Sequence, residues 1–306
     1  MAAVATLAHR PGVAGNAPVW FWALVVALWI AAWGVNDRLT RLPLASGPSA
    51  RARDVAVPVL FGLTCFFLWE VVCLGFGVPT VLMPPPSAIL AKLAVSQATL
   101  VADFRQTFVR SVVPGWLLGS ALGFAVALLA DRVPFLRRGL LPLGNFVSAL
   151  PVIGIAPIMV MWFGFDWHSK VAVVVVMTFF PMLVNTVAGL EAAGRLERDL
   201  MRSYAASWGT TLLKLRLPAA LPFVFNGLKI NSTLALIGAI VAEFFGTPIV
   251  GMGFRISTEV GRMQLDMVWA EIVVAAVAGT LFYGLIAMAE RAATFWHPSY
   301  RRRRAA

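Results

Sequence analysis

The chain has 306 residues, of which 60% are apolar and 13% charged, and it carries a formal net charge of +11. Soluble domains are about half apolar and a quarter charged, so this composition excludes an ordinary soluble domain and points to an integral membrane protein. The positive charge does not point to nucleic acid, because the basic residues stand at the ends of apolar spans rather than along one polar face.

Residues 1–18 are small and polar and read as a tail. Val19–Val35 is apolar over a length at the short end for a membrane span, with Trp20, Trp22 and Trp33 suited to the interfaces. A cleaved signal peptide is the alternative. Arg38, Arg41, Arg51 and Arg53 favour retention, because cleavage would leave this basic segment outside. Val57–Gly77 is the next span, with Glu70 placed near the outer interface. Pro84, Pro85 and Pro86 forbid helix, and Ser87 is expected to N-cap an amphipathic helix lying on the outer membrane surface. Phe108–Ala130 spans with Gly115, Gly119 and Gly123 at four-residue spacing, a stripe that lets another helix approach closely.

Asp131–Arg138 is a charged turn. Gly139–Gly164 is long and apolar, but Pro142, Pro151 and Pro157 predict a kinked or broken helix beside a cavity or inside protein. Val171–Leu190 spans again, then Leu221–Phe245, then Met267–Ala289, with Gly246–Asp266 expected as an outer loop and Arg301–Arg304 in the tail. The expected fold is therefore all-α and polytopic, with about seven transmembrane helices. Placing 191–220 inside puts seventeen basic residues inside and seven outside, so the N-terminus is expected out and the C-terminus in the cytoplasm.

No catalytic or metal cluster is legible. Cys65 and Cys73 lie roughly 12 Å apart along one helix, too far for a disulfide, and His9, His168 and His297 are scattered. Gly251-Met252-Gly253 reads as a turn rather than a phosphate cradle. No cofactor is expected. Intramembrane polar residues remain, since they are costly in lipid and face a cavity or a partner helix. Glu243 is a candidate for the lining of a translocation pathway, with helix packing equally open. Asn231 is a second candidate, better read as a packing hydrogen bond. Trp162, with Met161 beside the broken span, can line a pocket for a flat ligand, core packing being the alternative.

The polar island Leu200–Pro222 reads LMRSYAASWGTTLLKLRLPAALP. Such a segment cannot lie in lipid, because its backbone and charges would lose their water. It has small residues at Ala205, Ala206 and Ser207, a break expected at Gly209 and a Leu-Pro exit, and reads as a docking element for a soluble partner.

Ser203-Tyr204-Ala205, Gly209 and Leu215-Arg216-Leu217-Pro218 resemble the cytoplasmic EAA loop of binding-protein-dependent ABC importer permeases. Serine stands where that pattern has glutamate, and the glycine-to-proline spacing is intact. The resemblance runs from about Val57 to His297. Trp69-Glu70, the run Leu82 to Ser87, Phe180-Pro181, Asn185-Thr186 and the run Ile237 to Glu243 resemble the nitrate/sulfonate/taurine branch, which also holds permeases for thiamine-precursor pyrimidines and riboflavin.

The resemblance implies a permease core at 57–297, preceded by a tail, an extra span and a basic linker at 1–56 and followed by a basic tail at 298–306. It implies a coupling loop at about 191–220, with Ser203, Tyr204, Ala205, Ala206, Gly209, Leu217 and Pro218 as the ATPase-docking residues. Gly209 and Pro218 are expected to fix turns. The implied partners are two copies of a separate ATPase, a periplasmic or lipid-anchored binding protein and a second permease subunit, a homodimer, in the inner membrane. The chain itself is then no enzyme. The implied cargo is a small organic solute, a pyrimidine slightly ahead of a sulfonate. An ATP-independent secondary transporter is the alternative; it predicts inverted repeats and buried ion-binding carboxylates, neither of which is legible.

Overall fold

The computed structural model describes residues 1–9, 16–43, 47–148, 150–246 and 249–296. Arg10, His297 and the tail at 298–306, with Arg301–Arg304, lie outside the described residues. The protein is all-α, with no strand among the described residues. Among the described residues, six helices are long and apolar enough to cross a membrane. The chain divides into two compact units, Met1–Gln97 with Glu259–Ala270, and Ala98–Thr258 with Glu271–Ala306.

The first unit is built on α1 (Ala2–Ala8), α2 (Val19–Thr40), α3 (Pro48–Gly75) and α4 (Pro86–Val95). Phe21 and Val25 of α2 pack against Phe67 and Val71 of α3, with Val4 and Ala8 of α1 in the same cluster. Gly75 makes the approach possible: a Cβ there would lie 2.8 Å from the Trp22 ring. Glu70, read as an interfacial carboxylate, binds two partners. Its Oε1 lies 3.1 Å from His9 Nε2, and its Oε2 accepts from the Ser87 backbone N–H at 3.0 Å. This corrects the assignment of Ser87 as an N-cap. Pro85 is extended, Pro86 opens α4, and the orphan N–H of Ser87 is satisfied by Glu70. Lys92 of α4 pairs with Asp266 at 3.2 Å.

The second unit holds α5 (Gln97–Arg132) from Ala98 on, α6 (Pro134–Ser148), α7 (Val152–Phe163), α8 (Trp167–Glu191), α9 (Arg195–Ser203), α10 (Trp208–Glu243) and α11 (Met252–Gly261) as far as Thr258. Most of α12 (Leu265–Ala293) also belongs to it. The expected surface helix after Pro86 ends at Val95. From Gln97 onward the chain is one continuous helix with the third span, its Arg105–Val112 segment wound as a π-helix.

Helix α8 is central, packed mainly on α10 and α5. The glycine stripe acts as expected. A Cβ at Gly115 would lie 2.5 Å from Val174 Cβ, one at Gly119 2.9 Å from the Val175 carbonyl oxygen, and one at Gly123 2.9 Å from Met182 Cβ. Only glycine lets the two backbones run this close.

The proline-rich segment does break. Pro151 is extended and caps α7, and neither α6 nor α7 reaches spanning length alone. The anticipated loop 246–266 is corrected as well, because Met252–Gly261 of it is helical.

Candidate functional site

Two junctions, one at each end of α10, carry the polar chemistry of the second unit. At the Glu243 end, Gly251 adopts φ +141°, a value open to glycine, and turns the chain into α11. The first backbone N–H groups of a helix lack partners within it, and three side chains meet them here. Gly251 N–H donates to Asp103 Oδ1 at 2.6 Å, Met252 N–H to Thr107 Oγ1 at 2.8 Å, and Gly253 N–H to Glu243 Oε2 at 2.8 Å.

The Thr107 hydroxyl in turn donates to the Glu243 carboxylate at 2.9 Å, and Arg255 Nε donates to Asp103 Oδ2 at 2.9 Å. The positive end of the α11 dipole also favours the two carboxylates. Asp103, Thr107 and Glu243 are all buried. Glycine at 253 is required sterically, since a Cβ there would sit 2.9 Å from Glu243 Cβ. Lys170, also buried, donates from Nζ to the carbonyls of Phe165 at 2.6 Å and Asp166 at 3.2 Å. This network is a clasp that ties α5, α10 and α11 together.

Mid-helix, Asn231 Nδ2 donates to Ser120 Oγ at 2.9 Å and to the Thr178 carbonyl at 2.8 Å, so one amide bridges α10, α5 and α8. Lys229 pairs with Glu290 at 2.7 Å.

At the other end of α10 the chain turns back from α9. No residue of α9 is buried. Leu196 and Leu200, one turn apart, share a face that Tyr204 extends; Leu196 is 84% and Tyr204 76% exposed. Arg195, Arg198 and Arg202 stand among them. The turn lies at Tyr204–Ala206, where Ala205 adopts φ +47° and donates its N–H to the Arg202 carbonyl. Ser207 caps the next helix, its Oγ accepting from Thr210 N–H at 3.2 Å.

This corrects the break expected at Gly209. Gly209 lies in the first turn of α10, and a Cβ there would meet nothing within 4 Å. Pro218 makes no turn either, because the helix runs on from Trp208 to Glu243, with a π-helical stretch at Leu212–Arg216. The widened turn leaves room for proline without ending the helix. Ser203, in the glutamate position, donates to the carbonyls of Asp199 and Leu200 of its own helix.

One residue of this motif does bind inward. Arg216 grips Asp131 with both guanidinium nitrogens, at 2.7 and 2.6 Å, and donates from Nε to the Leu190 carbonyl at 3.1 Å. This fork locks the ends of α5 and α8 to the start of α10. Arg137 of α6 pairs with Glu191 of α8 nearby.

Residues 119–294 match the model of the family described as binding-protein-dependent transport system inner membrane component. The chain belongs to this family. It is 32% identical over 217 residues, 71% of its length, to a probable ABC transporter permease protein of Haemophilus influenzae, covering 88% of that protein. It is 30% identical over 246 residues to the formylaminopyrimidine transport permease protein of Halalkalibacterium halodurans, covering 80% of this chain and 98% of that one. A putative aliphatic sulfonates transport permease protein of Bacillus subtilis is 30% identical over 236 residues, 76% of this chain and 84% of its own. The protein is thus an ABC importer permease of the nitrate/sulfonate/taurine branch, a multi-pass membrane protein and not an enzyme.

Among the residues singled out in the permease's sequence, Ser203, Tyr204, Ala205, Ala206 and Gly209 gather at the elbow between α9 and α10. Leu217 and Pro218 lie further along α10. Glu243 and Asn231 are buried in helix contacts, whereas Trp162 of α7 is 71% exposed. An apolar cavity of about 100 Å³ opens where α6 and α7 break apart, lined by Val147, Leu150 and Ile155 together with Met177, Pro181 and Leu234.

Sequence reasoning missed Asp103, Thr107 and Arg255 of the clasp and the Asp131–Arg216 fork. A carboxylate at Glu243 inside a span needs partners, and that signal could have directed the search to them. Which distant residues answered it depends on the packing of α5 and α11.

Proposed function

We propose that the permease is driven by a separate pair of ATPase subunits that dock on the elbow between α9 and α10. Solute is delivered to its opposite face by a binding protein. The observation that carries this reading is the elbow itself. A short helix with exposed Leu196, Leu200 and Tyr204 and three arginines buries nothing of its own, and apolar side chains displayed this way mark a contact with another protein. Ala205 and Ala206 keep the turn thin enough for a cleft. Gly209 faces open space, so its missing side chain serves a neighbour outside the chain. Ser203, Leu217 and Pro218 then support the elbow rather than touch the partner.

The elbow lies in the cytoplasm under this reading, with the N-terminus out and the C-terminus in. Two copies of the permease form the path. The cavity at the α6–α7 break and the exposed Trp162 are the path-lining candidates, while Asn231 and Glu243 hold the helices on either side of it. The cargo is a small organic solute of the formylaminopyrimidine or sulfonate type carried by the relatives.

The decisive experiment is co-purification of tagged permease with ATPase subunits, alongside uptake in Gly209→Asp. The variant is expected to insert and fold normally, because the site is open, and to lose ATPase retention and uptake. Normal uptake in Gly209→Asp counts against docking at the elbow.

A further inference from the structure

Between Leu217 and Glu243 the exposed residues of α10 are Phe223, Asn226, Ile230, Thr233 and Ile237. Their spacing alternates between three and four, so they form one seam along the helix. The other faces of α10 pack mainly on α8, with α5 and α7 beside it. Two residues of the seam are polar, although α10 is long and apolar enough to cross a membrane. Thr233 donates its hydroxyl proton to the Ile230 carbonyl at 2.8 Å. Asn226 is less well provided for. Its Nδ2 donates to Asn185 Oδ1 of α8 at 3.0 Å, which uses one N–H, and its second N–H and its carbonyl oxygen have no partner among the described residues. Hydrocarbon offers neither donor nor acceptor, so an exposed amide at this depth faces water.

The seam is continuous with the cavity at the α6–α7 break. Asn185 Nδ2 donates to the Pro181 carbonyl at 2.8 Å. Pro181 lines that cavity, as does Leu234, the neighbour of Thr233. The amide pair is therefore tied to the cavity rim. The seam itself carries no charged residue. Lys229 of the same helix is largely buried and paired with Glu290 at 2.7 Å. A fixed anion entering this seam would lose hydration that the amides cannot replace. An uncharged solute with an N–H beside an acceptor can instead exchange two hydrogen bonds with the spare groups of Asn226.

We infer that this seam of α10 lines the solute route, and that Asn226, held in place by Asn185, is a contact for an uncharged solute carrying adjacent donor and acceptor groups, such as an amide or an aminopyrimidine edge. The inference rests on the transport reading above and narrows its cargo away from sulfonates.

The test uses the full-length permease in bilayer discs, with Cys65→Ala and Cys73→Ala as background and one new cysteine at a time. Asn226→Cys and Thr233→Cys probe the seam, and Leu281→Cys, exposed on α12, serves as the lipid-facing control. Two reagents of the same chemistry are compared, uncharged methyl methanethiosulfonate and anionic sulfonatoethyl methanethiosulfonate, each rate normalised to that of mercaptoethanol. The uncharged reagent is expected to label both seam positions about tenfold faster than Leu281→Cys, because only a thiol in contact with water forms the reactive thiolate. The sulfonate reagent is expected to be about tenfold slower than the uncharged one at Asn226→Cys, since it must shed hydration there.

Seam cysteines that label no faster than Leu281→Cys overturn the inference, because lipid or a dry contact with a second copy then covers the seam. Equal normalised rates for the two reagents at Asn226→Cys overturn the assignment of an uncharged solute. Labelling needs neither ATPase nor solute, so the two readings fail separately. An unlabelled seam in a permease that retains its ATPase removes this inference alone, and loss of ATPase binding with a labelled seam removes only the docking reading.

Discussion

The clasp and the elbow occupy opposite ends of one helix, α10, and are built in opposite ways. At Glu243, buried polar groups converge from α5, α10 and α11, and three backbone N–H groups are answered by side chains. At Trp208, the preceding helix buries nothing and displays leucine, tyrosine and arginine. A buried network whose members satisfy one another holds a single geometry, because breaking any bond strands a partner in a low-dielectric interior. An exposed apolar face has no such constraint and gains free energy only when something covers it. One end of α10 is thus anchored within the chain, and the helix that leads into the other leaves its apolar side chains uncovered. The Asp131–Arg216 fork stands between them, close to the elbow but satisfied internally, and couples the elbow to α5 and α8.

The sharpest way to break this contrast is to remove the anchor. Glu243→Leu strands the Thr107 hydroxyl and the Gly253 N–H, and should cost roughly 3 kcal/mol or more, read as a large drop in the unfolding midpoint in detergent. An unchanged midpoint would mean that the clasp anchors nothing.

Asp131→Ala leaves Arg216 without its buried partner, an effect of about 3 kcal/mol. The double exchange Asp131→Arg with Arg216→Asp should recover part of it in the same assay, and a swap no better than the single variant would argue that the ion pair itself contributes little. Gly119→Val forces α5 away from α8 and should cost about 1–3 kcal/mol, visible as reduced thermal stability.

At the elbow the expectation reverses. Leu200→Ser with Tyr204→Ser should leave stability within about 0.5 kcal/mol, because neither side chain is buried. ATPase co-purification should fall all the same. Lost stability with retained ATPase would invert the assignment. The smallest effect is expected at Glu271→Gln. That carboxyl is buried near the like charges of Asp103 and Glu243, so a neutral amide should leave the midpoint unchanged or raise it.

The sequence by itself determined the class of this protein and much of its local design. Apolar runs of membrane length require helices, because only a helix satisfies its own backbone in lipid. Glycines at four-residue spacing marked the face of α5 that meets α8, since the spacing matches one helical turn. Three prolines marked the broken segment, and a polar island between spans marked the elbow. These are local signals, carried by periodicity or by a residue that cannot adopt a given backbone. The turn itself was misplaced. Glycine at 209 suggested a break that fixes the turn, but the left-handed residue is Ala205, whose N–H is held by the Arg202 carbonyl of α9.

Only the tertiary structure decided where the buried charges go. Glu243 is more than a hundred residues from Thr107, and Asp131 is far from Arg216 in sequence, so no spacing rule links them. Likewise Glu70 and the N–H of Ser87 meet only because α3 and α4 fold back on one another. A charge in an apolar run announces that it needs a partner. Which partner it finds is settled by helix packing, because the cost of leaving it unpaired is paid only once the helices have come together.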